Sequence, residues 1–257
     1  MKDLIKEIQK KVNVNIDGII GPKTIKAIAE KLDAPITSVQ LTTIKNIQKK
    51  VKVTADGIIG PNTLNAINNH LGNIDSEDNL IKKYIEKPIK FTKVNYKAEL
   101  VKQSVVRSGK SIFGKAGDES VLVNVKVPVN YPLKYDGKRV KTIRIHKLVA
   151  DRLEAALHDI ITHYGEDIEK VAPGACVYDG SYYFRKTRGS SSQSIHSWGL
   201  AIDFDASNNE LKTHWDNARL GEPIYKPFWD ILEYHGFLSL GRRQKSDVMH
   251  CQATLWG

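Results

Sequence analysis

The chain has 257 residues, 41% of them hydrophobic and 26% charged, the balance of an ordinary soluble globular protein with room for one large domain or two smaller ones. No run of about 18 apolar residues occurs, so a membrane-spanning helix is excluded and no membrane insertion is expected. The formal net charge of +10 implies attraction to polyanions. Nucleic acid is not the expected partner: the lysines are spread along the chain, and neither an RNA-binding aromatic signature nor a Cys/His finger spacing is present. Cys176 and Cys251 cannot make a disulfide framework and read as free thiols of a protein made in a reducing compartment.

The first 73 residues contain an internal repeat. IQKKVNVNIDGIIGPKTIKAIAEKL (8–32) returns as IQKKVKVTADGIIGPNTLNAINNHL (47–71), with 16 of 25 positions identical. Each copy predicts a helix, a tight loop and a second helix, in units of about 1–36 and 37–73. Ile5, Ile8 and Val12 follow helical spacing, as do Ile44, Ile47 and Val51. Asp17-Gly18 and Asp56-Gly57 supply turn chemistry, and Gly21-Pro22 and Gly60-Pro61 stop one element and start the next. The pattern I-Q…D-G-x-x-G-x-x-T…A-I resembles the peptidoglycan-binding repeat of bacterial and phage wall hydrolases. That resemblance implies wall binding, while a helical scaffold without a ligand is the plainer alternative. Whether the copies form one compact domain or two beads is open at this point.

Residues 74–97 are polar, lysine-rich and interrupted by Pro88, and they read as a linker with at most one short helix. Beyond them, residues 98–257 form the second domain. Residues 120–146 alternate apolar and polar side chains around Tyr135-Asp136-Gly137-Lys138, which predicts a hairpin. Residues 147–165 place Leu148, Leu153 and Leu157 at helical spacing and end on Gly165. Strands are expected around 175–184, 200–205 and 248–256, with a helix over 226–235. Strands mixed irregularly with helices predict an α+β domain, preceded by the small all-α helical repeat domain.

Within SIHSWGLAIDFD (194–205), Ala201, Asp203 and Asp205 share one face of the expected strand, and His196 is turned back toward it at Gly199. Taken alone, His196 and Asp203 read as a hydrogen-bonded couple. His250 opens the last apolar strand and Asp247 precedes it by three residues. Two histidines and a carboxylate leave a fourth tetrahedral position open, as in a catalytic zinc site, and a carboxylate near it can serve as general base. His158 and His163 read as surface residues, and nothing joins His214 and Asp216 to the site.

The two motifs S-x-H-x-x-G-x-A-x-D and D-x-M-H, with YYFRKTRGSSSQ upstream, resemble the zinc peptidases that include D-Ala-D-Ala carboxypeptidases, vancomycin-resistance dipeptidases and phage L-Ala-D-Glu endopeptidases. The resemblance implies Zn²⁺ held by His196, Asp203 and His250, with Asp247 as general base. It also implies an arginine for the oxyanion, Arg185 or its neighbour Arg188. Ser194 and Arg188 are expected substrate contacts, and Asp205 a bystander. Asp at the base position, where many of the carboxypeptidases have Glu, points to an endopeptidase cutting L-Ala-D-Glu. The expected protein is therefore a monomeric phage endolysin acting on bacterial peptidoglycan, with no signal peptide and residence in the host cytoplasm before release to the wall. A D,D-carboxypeptidase and a non-catalytic wall-binding virion protein are the alternatives.

Overall fold

The computed structural model describes residues 1–94 and 100–256, the side chains of residues 75–77 excepted. The chain divides into two compact units, Met1–Leu80 and Ile81–Gly257.

The first unit is helical, with α1 (Lys2–Lys11), α2 (Pro22–Lys31), α3 (Gln40–Lys50) and most of α4 (Pro61–Glu86), whose residues from Ile81 on belong to the second unit. Pro22 sits at the start of α2, where its missing N–H costs no helical bond. Ile8, Ile25, Ile28, Ile44, Ile47, Leu64 and Ile67 belong to one apolar core, so both copies pack into one compact body. A buried glutamine organises each loop. The Gln9 amide donates to Asp17 Oδ1 (2.7 Å) and Ile19 O (2.9 Å), and its Oε1 accepts the Gly18 N–H (2.8 Å). Gln48 makes the same set with Asp56 Oδ1 (2.7 Å), Ile58 O (3.0 Å) and the Gly57 N–H (2.8 Å). The shared Gln, Asp and Gly positions are thus the partners that satisfy each buried amide.

Residues 74–86, read from sequence as the start of a linker, continue α4. Between Leu71 and Pro88 no residue breaks the helix beyond the mild cost of Gly72. The polar surface of this stretch hid its period, because an exposed helix has little apolar stripe to show. Residues 95–97, and the expected domain start at 98, lie outside the described residues.

The second unit starts with the short β1 (Val101–Lys102) and α5 (Gln103–Arg107). The expected hairpin is two nested ones. β2 (Leu122–Lys126) pairs antiparallel with β5 (Thr142–His146), and between them β3 (Lys134–Tyr135) pairs with β4 (Lys138–Arg139). Asp136 and Gly137 both take positive φ, 48° and 71°, which a two-residue turn of right-handed twist requires. Then α6 (Ala150–Tyr164) buries Leu153, Ala156, Leu157 and Ile160 on one face, followed by the short α7 (Ile168–Val171). His163, expected at the surface, is buried, and its Nε2 lies 2.9 Å from Tyr84 O. The i, i+4 spacing with Asp159, itself buried, puts both on the core side of the helix.

The remaining elements form the sheet that carries the site: β6 (Tyr178–Gly180), β7 (Ala201–Phe204), α8 (Lys226–Tyr234), β8 (Leu238–Ser239), α9 (Leu240–Gln244), β9 (His250–Gln252) and β10 (Thr254–Leu255). The sheet order is β6-β7-β9-β8, all antiparallel, and β10 pairs in parallel with β1. Ile202, Phe204, Phe228 and Trp229 are fully buried beneath it. This mixed architecture is consistent with an α+β peptidase. No helix among the described residues is long and apolar enough to cross a membrane.

Candidate metal centre and its cleft

Sheet register explains how residues 47 apart in sequence meet. Asp203 on β7 stands directly opposite His250 on β9, and opposed residues of an antiparallel pair share a face. His196 reaches them from a short 3₁₀ turn, Ile195–Trp198, that ends on Gly199 in the left-handed region (φ 64°). A side chain at Gly199 would sit 3.0 Å from the His146 backbone nitrogen, so conformation and close approach both require glycine.

His196 Nε2 lies 3.3 Å from Asp203 Oδ1 and 3.2 Å from His250 Nδ1, and His250 Nδ1 lies 2.9 Å from Asp203 Oδ1. A second hydrogen bond fixes the orientation of each ring. His196 Nδ1 donates to Ser181 O (2.6 Å), and His250 Nε2 faces Gln252 Oε1 (3.2 Å), whose amide donates to Thr254 Oγ1 (2.5 Å). With those nitrogens protonated, the two that face Asp203 are bare. Two lone pairs and a carboxylate oxygen this close repel unless a proton or a metal cation lies among them. A tetrahedral ion with bonds of about 2.0–2.1 Å holds its ligand atoms roughly 3.3 Å apart. The donor set therefore fits zinc: two neutral imidazoles and one carboxylate, with a fourth direction left open. Burial would raise the Asp203 pKa, but when no metal lies among the three groups, positive charge and hydrogen bonds from protonated His196 and His250 rings outweigh it and hold the carboxyl well below its usual range.

These residues line a cleft of about 940 Å³ together with Asp247, Arg185, Arg188 and Ser194. Asp247 occupies the turn before β9 with φ 52°. Its N–H donates to Leu211 O (3.1 Å) and its carbonyl accepts the His250 N–H (3.1 Å), so the backbone ties its position to the metal histidine. Its carboxylate accepts no hydrogen bond among the described residues. Burial pushes its pKa up, and the charges of His250, His196 and Arg185 offset part of that rise. The Arg185 N–H donates to Ser197 Oγ (3.1 Å), and Ser194 N–H donates to Arg185 O (3.0 Å), which binds this arm to the His196 turn. Ser194 is buried at the cleft wall, whereas Arg188 is exposed.

The acid two residues beyond Asp203 faces elsewhere. Asp205 is fully buried, accepts Arg219 Nε (2.6 Å) and Asn209 Nδ2 (2.9 Å), and stands outside the trio that could hold a metal ion. Cys176 and Cys251 are free and buried; burial pushes the Cys176 thiol up to about 12. The sequence reading missed Ser181 and Gln252, which orient the two histidines. Gln252, two residues past His250 on one strand face, was the one with a visible signal.

A family model described as D-alanyl-D-alanine carboxypeptidase matches residues 188–253, about a quarter of the chain. The match contains His196, Asp203, Asp247 and His250 but not Arg185. It supports a metallopeptidase acting on peptidoglycan. No curated protein and no solved structure matches the chain.

Proposed function

We propose that the protein is a zinc-dependent endopeptidase of the peptidoglycan stem peptide, with His196, Asp203 and His250 as metal ligands. The observation that carries this reading is the convergence of three metal-ligating atoms at 2.9–3.3 Å beside the Asp247 carboxylate, which has no hydrogen-bond partner among the described residues. Zinc bound there supplies a Lewis acid for the scissile carbonyl and lowers the pKa of water toward neutrality. Asp247 takes the proton from the attacking water at its carboxylate and returns it to the departing amine. Arg185, on the same cleft wall, offers a positive donor to the oxyanion as it develops. Ser194 and Arg188 hold the peptide.

The reading extends to the whole chain. The first unit, by its resemblance to wall-binding repeats, tethers the enzyme to its insoluble substrate and raises its effective concentration there. The net charge of +10 favours an anionic wall. The L-Ala-D-Glu bond is the expected target, and the setting is a monomeric phage endolysin that passes from the host cytoplasm to the wall. A D,D-carboxypeptidase is the second reading, favoured by the description of the matched family. Mass spectrometry of digested peptidoglycan separates them. New L-Ala carboxyl termini are expected, release of single D-Ala residues would support the second reading, and an unchanged wall would refute both.

A further inference from the structure

The cleft has a second polar wall that the reaction above leaves unused. It is built by α5 and by Trp256, the residue after β10, both outside residues 188–253. The parallel pair β1–β10 matches Val101 with Thr254 and Lys102 with Leu255, which brings the next residues, Gln103 and Trp256, to the same end of the pair. Gln103 opens α5 and Arg107 closes it, four residues on and so on one helix face. All three line the cleft. This wall adjoins both histidine segments: the Trp256 ring stands edge-on to His250 with centroids 6.0 Å apart, and Arg107 Nε donates to Gln193 O (3.0 Å), three residues before His196.

Its polar groups are not satisfied from within. Trp256 Nε1 and Gln103 Oε1 are buried with no hydrogen-bond partner among the described residues. Arg107 is half-buried and makes no ion pair among the described residues, and burial lowers its pKa with no acid to offset it. Buried indole N–H groups and partly desolvated guanidinium forks are ordinarily paired. Here two kinds of donor and one acceptor belong to side chains that line the same cleft.

We infer that Arg107, Trp256 and Gln103 form a subsite for a carboxylate that the substrate carries beside the bond to be cut, an inference that rests on the peptidase reading. The guanidinium and the indole N–H donate to the carboxylate oxygens, and Gln103 Oε1 accepts the N–H of the adjoining peptide unit. The subsite acts in substrate recognition and leaves the proton transfers to Asp247.

The test is binding to the full-length, zinc-loaded Asp247→Asn protein, in which the peptide survives. The first probe pair is N-acetyl-L-Ala-γ-D-Glu-L-Lys amide, whose one free acid is the D-Glu α-carboxyl, and the same peptide with that group as carboxamide. A second pair, N-acetyl-D-Ala-D-Ala and its amide, places the carboxylate at a chain end. Calorimetry should show the acid of one pair binding about tenfold or more tighter than its amide, the scale of a charge-assisted hydrogen bond. The Trp256 indole resonance, assigned with Trp256→Phe, should move with the acid. Arg107→Gln should abolish the preference, and Arg107→Lys, which keeps the charge without the fork, should retain part of it. Equal binding of acid and amide in both pairs, or a preference that survives Arg107→Gln, would overturn the subsite. An intact acid preference in a chain whose native form never cuts peptidoglycan would instead count against the proposed function and leave the subsite standing.

Discussion

One polar cluster in each unit shows two opposite ways of burying such side chains. In the first, Gln9 and Gln48 are fully buried, and carbonyls, a carboxylate and a glycine N–H of their own loops satisfy each amide. In the second, His196, Asp203 and His250 aim potential ligand atoms at one point, and Trp256 and Gln103 carry buried atoms with no partner among the described residues. A polar network closed on itself holds a fold together. One left open toward a cleft is a cost to folding unless a ligand completes it.

Substitutions should break this comparison in graded steps. His196→Ala removes one of three donors, so metal content should fall from about one zinc per chain to near zero and hydrolysis by about 10³-fold or more, measured by elemental analysis and release of free amino groups. Asp247→Ala should keep its zinc and lose about 10²–10⁴-fold in turnover, the range of a missing general base. Gln48→Ala should destabilise the first unit by about 2–4 kcal/mol in urea titration, because several buried partners lose their bond at once. Hydrolysis of short soluble peptides should stay within about twofold, since the second unit is untouched.

The smallest expected effect concerns a buried histidine of the second unit that does not line the cleft. His146 is buried, accepts the Leu148 N–H through Nδ1, and burial pushes its pKa down to about 4. The unfolded chain binds a proton near pH 6.5 that the folded chain refuses until about pH 4. Stability should therefore be full above about 6.5 and fall as pH drops through that window, by up to about 3 kcal/mol. Burial lowers the His163 pKa as well and adds to the loss in the same direction. His146→Asn keeps a cap acceptor and should flatten the slope by about one proton. An unchanged slope would contradict the assignment.

Those residues also show what the sequence could carry. His196, Asp203, Asp247 and His250 were legible because each lies in a short motif whose spacing belongs to one turn or one strand. Asp136-Gly137 was legible for the same reason. His163 was not, because its burial depends on the α4 segment around Tyr84, 79 positions away. The length of α4 was hidden by its polar surface. Gln103, Arg107 and Trp256 carry no local signal: the β1–β10 pairing that unites them spans most of the second unit and is set only by folding.

The most direct test of the central claim is a zinc titration of the chelated full-length protein, scored by new amino termini released from purified peptidoglycan. Release should be absent without metal, rise with zinc, and saturate near one equivalent, while Asp247→Ala binds the same equivalent and releases about 10²-fold less or lower still. Release that persists after chelation, or zinc binding unaffected by His196→Ala, would contradict the account.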